Sequence, residues 1–365
     1  MAKLGIFQAS NEVARVFMPQ KTILVAPLNW GLGHATRCVP IIHALLADGF
    51  KVVLASDGMA YQFLEKEFPQ LPIYKLASLH VFYAEKKKWQ TLNMLKQIPK
   101  LYKFISEDQL AIEKLAKQIK IDGIISDNRP GVFLAETPCA YINHQLNVKS
   151  GVATPFSSKL HQNLMKNFDE IWVPDVEDEP SLSGELGHLS KAKNLPTIKY
   201  LGWLSRLQPE NNSIIYDFCA VISGPEPQRT LFENALEELF QKLPGCKVMV
   251  TGNPDKNDNS EDFEKCGMLN SSELNRLIAQ SNLLICRSGY TSLMDLLKMQ
   301  KQALLVPTPG QFEQEYLAKR MQELGWFSVC NQEDLLEYTL KNMEAIQTNR
   351  LPNFQDLKLD FSLFK

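Results

Sequence analysis

The stretch Thr22-Ile23-Leu24-Val25-Ala26-Pro27-Leu28, running into Asn29-Trp30-Gly31-Leu32-Gly33-His34-Ala35-Thr36-Arg37, decides the fold. An aliphatic run enters a turn with two glycines, and a helical apolar periodicity then continues to Leu46 before Gly49 stops it. That is a strand, a glycine turn and a helix, the opening of a βα unit. Gly31 and Gly33 carry no side chains to keep an anion from the backbone amides, and the helix start presents the positive end of its dipole. Thr36 stands where the third glycine of G-x-G-x-x-G would be, so a dinucleotide fingerprint is incomplete. His34 follows the second glycine, where the dipole disfavours protonation and a neutral imidazole can accept a proton. The plainer alternative is a tight turn in which His34 caps the helix or packs.

Working outward, short apolar runs at 52–56, 123–126, 140–143 and 170–173 alternate with longer helical patterns. A stretch rich in Pro, Glu, Asp, Ser and Gly follows, from Pro174 to about Glu210. The alternation then restarts at 218–223 and continues at 247–251, 282–286 and 303–306. The pattern predicts an α/β protein of two doubly wound halves with parallel sheets. Expected boundaries are an unassigned extension over 1–20, a Rossmann-like domain over 21–175 and a linker over 176–210. A second Rossmann-like domain over 211–345 and a tail over 346–365 that packs back on the first domain complete the scheme. Such sheets bind ligands beyond the carboxyl ends of their strands, so the loops after strands are the places to look.

A length of 365 residues suits two domains rather than one core. With 39 Lys plus Arg against 41 Asp plus Glu there is no global basic field, which argues against nucleic acid as a partner; an anion must be gripped locally. The seven cysteines lie far apart with no C-x-x-C pair and read as reduced buried thiols. No run of about 18 apolar residues suits a membrane span, and residues 1–20 lack the apolar core of a signal peptide, so the expected location is cytoplasmic.

The second half repeats the strand, turn and helix device. The run 282–286 ends in Arg287-Ser288-Gly289-Tyr290-Thr291-Ser292, and a helical pattern follows to Met299. A phosphate there would accept from backbone amides near Gly289 and from the Ser288, Thr291 or Ser292 hydroxyls, with Arg287 adding charge. Asp295 shares a helix face with Thr291 and Ser292 and suits the two hydroxyls of a ribose. The run 303–306 opens onto Pro307-Thr308-Pro309-Gly310-Gln311-Phe312-Glu313-Gln314, which offers Glu313 and Gln314 to sugar hydroxyls. Glu313 can equally be a first-turn acid that stabilises its own helix.

Together these segments resemble the nucleotide-sugar site of GT-B glycosyltransferases: C-R-S-G from Cys286, the acid Asp295, V-P-T-P at 306–309 and E-Q at 313–314. The closest likeness is the bacterial family that adds N-acetylglucosamine to a lipid-linked peptidoglycan precursor (MurG-like, glycosyltransferase family 28). G-L-G-H at 31–34 is similar to that family's N-terminal glycine loop, and Asn143-His144-Gln145-Leu146-Asn147 to its H-x-Q-N segment. The resemblance implies two facing Rossmann-like domains, with a UDP-sugar held mainly by the second and an acceptor mainly by the first. Asp295 would bind ribose, Gln314 and Glu313 the donor sugar, and His34 would act on the acceptor hydroxyl. The family's G-G-S-x-G is replaced here by Ser223-Gly224-Pro225-Glu226-Pro227-Gln228-Arg229, so Ser223, Gly224 and Arg229 are the candidates at the diphosphate.

No D-x-D occurs, so a metal-free, cofactor-free site is the simpler expectation, with fixed amides and Arg287 or Arg229 facing the leaving diphosphate. Asp127, Asn128, His144 and Asn147 are acceptor-side candidates. A basic, aromatic stripe from Lys86, Lys87, Lys88 and Trp89 to Phe104, with Pro99 interrupting any single long helix, suits peripheral contact with an anionic membrane face. It equally suits a solvated helix packed by its apolar side. Besides transfer, the same residues permit a nucleotide-sugar hydrolase or epimerase, or a non-catalytic nucleotide-sugar binding subunit.

Overall fold

Residues 20–78, 90–148, 154–189, 195–253, 262–338, 340–346, 350–356 and 358–365 are described by the computed structural model, which contains two all-parallel sheets. The first runs in the order β3 (Ile73–Lys75), β2 (Lys51–Ser56), β1 (Thr22–Pro27), β4 (Gly123–Asp127), β5 (Cys139–Ile142), β6 (Glu170–Val173), β7 (Thr197–Tyr200). The second is ordered β10 (Glu264–Cys266), β9 (Lys247–Val250), β8 (Tyr216–Val221), β11 (Ser281–Cys286), β12 (Ala303–Leu305), β13 (Ser328–Val329). The central strands β1 and β4 are buried along nearly their whole length, which is why they read as continuous apolar runs instead of alternating ones. The helices that cover these sheets are α1 (Gly33–Ala47), α2 (Gly58–Glu67), α3 (Gln90–Ala116), α4 (Thr154–Met165), α5 (Gln228–Lys242), α6 (Ser271–Ala279), α7 (Tyr290–Met299), α8 (Phe312–Glu323) and α9 (Leu340–Ile346).

Each sheet reverses its strand order once, between β1 and β4 in the first and between β8 and β11 in the second. At those switch points the two neighbouring loops diverge to opposite faces and leave a crevice. The loops that open there are Gly31 to His34 after β1, the end of β4 at Asp127, Ser223-Gly224 after β8, and Arg287 to Gly289 after β11. Helices α1 and α7 pack against each other across the two halves, and one apolar cluster runs from Ile23 and Val25 of β1 through Leu293 and Leu297 of α7 to Leu317 of α8.

Three sequence expectations change. The first sheet extends to Tyr200, because β7 lies in the segment expected to be linker and pairs with β6 from Glu170↔Thr197 to Val173↔Tyr200. Its exposed and half-buried residues lack the apolar density of a central strand, as do the short edges β3, β10 and β13. Second, Pro99 lies inside α3 and does not end it. A proline there forfeits one backbone bond, and the buried Phe104, Ile112 and Leu115 farther along hold the helix by packing. Third, the seven cysteines are unpaired, but Cys246 is exposed and Cys266 half-buried. Residues 1–19 and the Lys86 to Trp89 stripe lie outside the described residues.

The tail crosses back to the first sheet. Lys358 donates its amide to the Leu201 carbonyl at 2.7 Å, Trp203 donates to Gln355 at 3.0 Å, and Phe361 and Phe364 bury against Phe50 and Trp172. The crossing depends on Gly202, whose φ of +80° favours glycine and where an added Cβ would lie 2.5 Å from the Asp356 carbonyl oxygen. Gly202→Ala is expected to cost at least about 1–2 kcal/mol from the left-handed backbone alone. A urea midpoint matching the parent's, with the tail equally resistant to carboxypeptidase, would contradict this account.

Candidate active site

Backbone geometry brings the first-half candidates together. Gly31 turns the chain at φ +73°, and α1 begins at Gly33 and points His34 toward the end of β4. In register, Pro27 of β1 pairs with Asp127, so the strand end delivers a carboxylate beside the helix start. His34 Nδ1 lies 2.8 Å from Asp127 Oδ1, and Nε2 makes no hydrogen bond among the described residues. Arg37, one helical turn on from His34, donates Nε to Asp127 Oδ2 at 2.5 Å and Nη2 to Oδ1. Its Nη1 lies 2.9 Å from His144 Nδ1. His144 Nε2 meets Glu313 Oε1 of α8 at 2.8 Å, and Gln145 donates its amide to the other Glu313 oxygen. A chain of charged and polar groups thus crosses from His34 in the first half to Glu313 in the second.

The electrostatics follow from burial and these partners. Burial and the Arg37 charge hold the His34 imidazole below its usual 6.5, while Asp127 pulls the other way. Burial opposes ionisation of Asp127, but Arg37 and His34 outweigh it and bring the carboxyl to about 2. Glu313 likewise stays below the usual carboxylate range, burial being outweighed by His144. With Asp127 ionised, the favoured tautomer of His34 donates from Nδ1 to it, which leaves the lone pair on Nε2.

Helix α7 faces this cluster. Gly289 caps it without a side chain, Thr291 Oγ1 donates to the Gly33 carbonyl at 3.0 Å, and the Tyr290 ring stacks on His144 with centroids 4.2 Å apart. Tyr290 also donates its hydroxyl to Pro174 O. Ser292 is half-buried with no partner among the described residues. Asp295 accepts from Ser205 Oγ at 2.6 Å, and burial pushes its carboxyl up to about 6 despite nearby Arg206. Ser205, in the segment between β7 and β8, therefore already holds the carboxylate expected at a ribose. Gly224 turns at φ +109° beside Ser223, open to the crevice.

Other expected site residues are committed elsewhere. Arg287 is fully buried, and it spends its guanidinium on Val306 O, Pro307 O, Gln228 O and Gln332 over the Phe232 ring. Burial lowers it to about 9. Ser288, also fully buried, donates to Gln314 O, and the Gln314 amide oxygen accepts from Thr308 N. These residues shape the loops instead of facing a phosphate, because a strand-end loop must satisfy its own carbonyls before it can serve a ligand. Arg229 pairs with Glu226 and Glu233, Asn147 donates to Glu185 O and His188 O, and Asn128 accepts from Tyr141. Sequence inspection missed the role of Arg37; its spacing of three from His34 on a helix was the available signal. Among the described residues no group of three or more His, Cys, Asp or Glu is arranged for a metal ion, and no helix is long and apolar enough to cross a membrane.

Comparison with known proteins agrees with this architecture. Residues 218–358 match the glycosyltransferase family 28 C-terminal domain. A UDP-N-acetylglucosamine–N-acetylmuramyl-(pentapeptide) pyrophosphoryl-undecaprenol N-acetylglucosamine transferase of Clostridium tetani is 23% identical over 339 residues, covering 87% of this chain and 89% of that protein. Among solved structures, the spinosyn rhamnosyltransferase bound to thymidine diphosphate superposes with a TM-score of 0.61 at 13% identity, over 90% of this chain and 92% of that one. A putative UDP-N-acetylglucosamine 2-epimerase from Listeria monocytogenes superposes with a TM-score of 0.56 at 14% identity, over 90% and 89%. The fold alone thus admits both chemistries, and the matched domain favours transfer. The two parallel sheets are a GT-B fold, residues 218–358 are similar to the family 28 C-terminal domain, and the chain is a nucleotide-sugar glycosyltransferase.

Proposed function

We propose that the chain transfers a sugar of the N-acetylhexosamine class from a uridine diphosphate donor to a hydroxyl of a lipid-linked acceptor, without a metal, with His34 as the base. The observation that carries this reading is His34 at the switch point, its Nδ1 held 2.8 Å from Asp127 and its Nε2 without a partner among the described residues, opposite the start of α7. Nε2 takes the acceptor hydroxyl proton as the oxygen bonds to the anomeric carbon. The bond from that carbon to the donor diphosphate breaks, and its electron pair leaves with the nucleotide. Fixed amides at the start of α7, with Ser223 and Gly224, offer preorganised donors to that developing charge. The activity of the Clostridium tetani relative supports these donor and acceptor classes.

Incubation with a panel of nucleotide sugars, with and without a polyprenyl-linked sugar acceptor and with EDTA throughout, tests this. The expected product is an elongated acceptor plus UDP by mass spectrometry. Free sugar or an epimer from donor alone identifies hydrolysis or epimerisation instead, and binding without turnover identifies a binding subunit. Loss of transfer in EDTA overturns the metal-free part.

Peripheral contact with a cytoplasmic membrane face is part of the same proposal. The segment from Lys86 to Phe104 holds six lysines and no acid, and each lysine near an anionic surface contributes about 1 kcal/mol. Its described end bears an exposed Tyr102 and an exposed Lys103 that reaches Glu107 at 3.7 Å. Neutralising Lys86, Lys87 and Lys88 is expected to abolish most co-sedimentation with anionic liposomes; unchanged co-sedimentation counts against the contact.

A further inference from the structure

Arg37 is 1% exposed, and each edge of its guanidinium is spoken for. One edge meets both oxygens of Asp127, and Nη1 lies 2.9 Å from His144 Nδ1. Nη2 also lies 3.0 Å from His34 Nδ1, but that nitrogen gives its proton to Asp127, so the approach is not a hydrogen bond and Nη2 donates to Asp127 Oδ1 instead. Arginine keeps its protons in proteins, so in the contact with His144 it must donate. His144 then carries its own proton on Nε2 and donates it to Glu313 across the cleft. The tautomer of one histidine is set, and Arg37 is anchored by Asp127 and by His144, which Glu313 of the second half holds in turn.

We infer that Arg37 is a positioning residue of the transfer: gripped by Asp127 and His144, it fixes the His34 ring and keeps that ring unprotonated until the acceptor proton arrives. The inference rests on His34 being the base. Among the described residues, the groups around His34 are Arg37 and Cys38 on its own helix, Asp127 from β4, His144 after β5 and Glu313 from α8; α7 adds the uncharged Thr291 and the phenol of Tyr290, stacked on His144. An imidazolium at His34 would be a second cation sharing the Asp127 carboxylate with the buried Arg37, where little water screens it. Without the guanidinium, Asp127 would be left to His34 alone and would draw a proton onto the ring.

The test uses protein labelled with 15N at its six histidines, the His34 signals being assigned by their loss in His34→Asn. Ring-nitrogen shifts against pH give the His34 midpoint with no substrate present. The parent midpoint is expected below 6.5. Arg37→Gln should raise it by about one pH unit or more, moving the acidic limb of kcat with it and leaving the donor KM nearly unchanged. Arg37→Lys, which restores the charge, should bring the midpoint back toward the parent value. A parent midpoint at or above 6.5, or equal midpoints in parent and Arg37→Gln, overturns the inference. Should Arg37→Gln fail to fold, a parent midpoint at or above 6.5 still overturns the inference, and a further fall or rise in Arg37→Lys reports the guanidinium's part in it. If the imidazole responds as stated but no donor supports transfer, the functional proposal fails separately. Transfer with an unresponsive imidazole removes only the role of Arg37.

Discussion

His34→Ala is expected to lower kcat by about 10²- to 10⁴-fold, the usual contribution of a positioned general base, with donor affinity nearly intact. The magnitude follows from what the substitution removes. Asp127 and Arg37 would still pair, so the strand end and the start of α1 keep their anchor. The amides of α7 and the loop after β8 also stay in place. What vanishes is the only ring nitrogen in the cluster that is both without a hydrogen-bond partner among the described residues and backed by a carboxylate. The acceptor hydroxyl must then lose its proton to water, and turnover falls. The checks are steady-state kinetics at saturating donor and acceptor, with calorimetric titration of UDP. Full turnover in the alanine variant would assign the base elsewhere. A large loss of UDP binding would make His34 a donor ligand instead.

Removing the Asp127 carboxylate is expected to destabilise the protein far more than removing His34. Asp127→Ala leaves the buried Arg37 guanidinium without its counter-ion, a change of about 3–5 kcal/mol for buried pairs. The pH dependence has a definite sign. The folded-state carboxyl is depressed to about 2 from its usual 3.8. The parent therefore holds this stabilisation in full above 3.8 and loses it as pH falls through about 2. Urea midpoints at pH 7 and through the acid range should show a lower midpoint for the variant, and a parent-to-variant gap that narrows on acidification. A gap that is small at pH 7, or that stays constant down to pH 2, would mean the pair carries little of the fold.

Much of this architecture was legible before any coordinates. The run 22–28, Gly31 and Gly33 announced the first βα unit, and the β-branched runs announced most central strands, because strands buried on both faces must be apolar throughout. Edge strands β3, β7, β10 and β13 escaped notice for the same reason in reverse: one side faces water and their composition resembles that of loops. At the site, the glycine turn, His34, Asp127 and His144 were all selected from sequence, since a strand end followed by a helix start is where side chains reach a crevice. The fates of Arg287, Ser288 and Asn147 were not readable. Whether a polar side chain faces a ligand or repays a buried carbonyl depends on neighbours far away in the chain, as with Arg287 and Gln332.

By itself the sequence determined the parallel α/β organisation, the absence of a global basic field and the residues that crowd the strand ends. Local periodicity and residue type suffice for these, since each is decided within a few residues of chain. Only the tertiary structure decided that Arg37 lies between Asp127 and His144, that Glu313 reaches the first domain, and that Ser205 holds Asp295. Those contacts join positions 90 to 169 residues apart. Nothing in the local chain encodes which buried charge meets which, because pairing is set by the register of β1 on β4 and by how α7 and α8 seat against the first sheet.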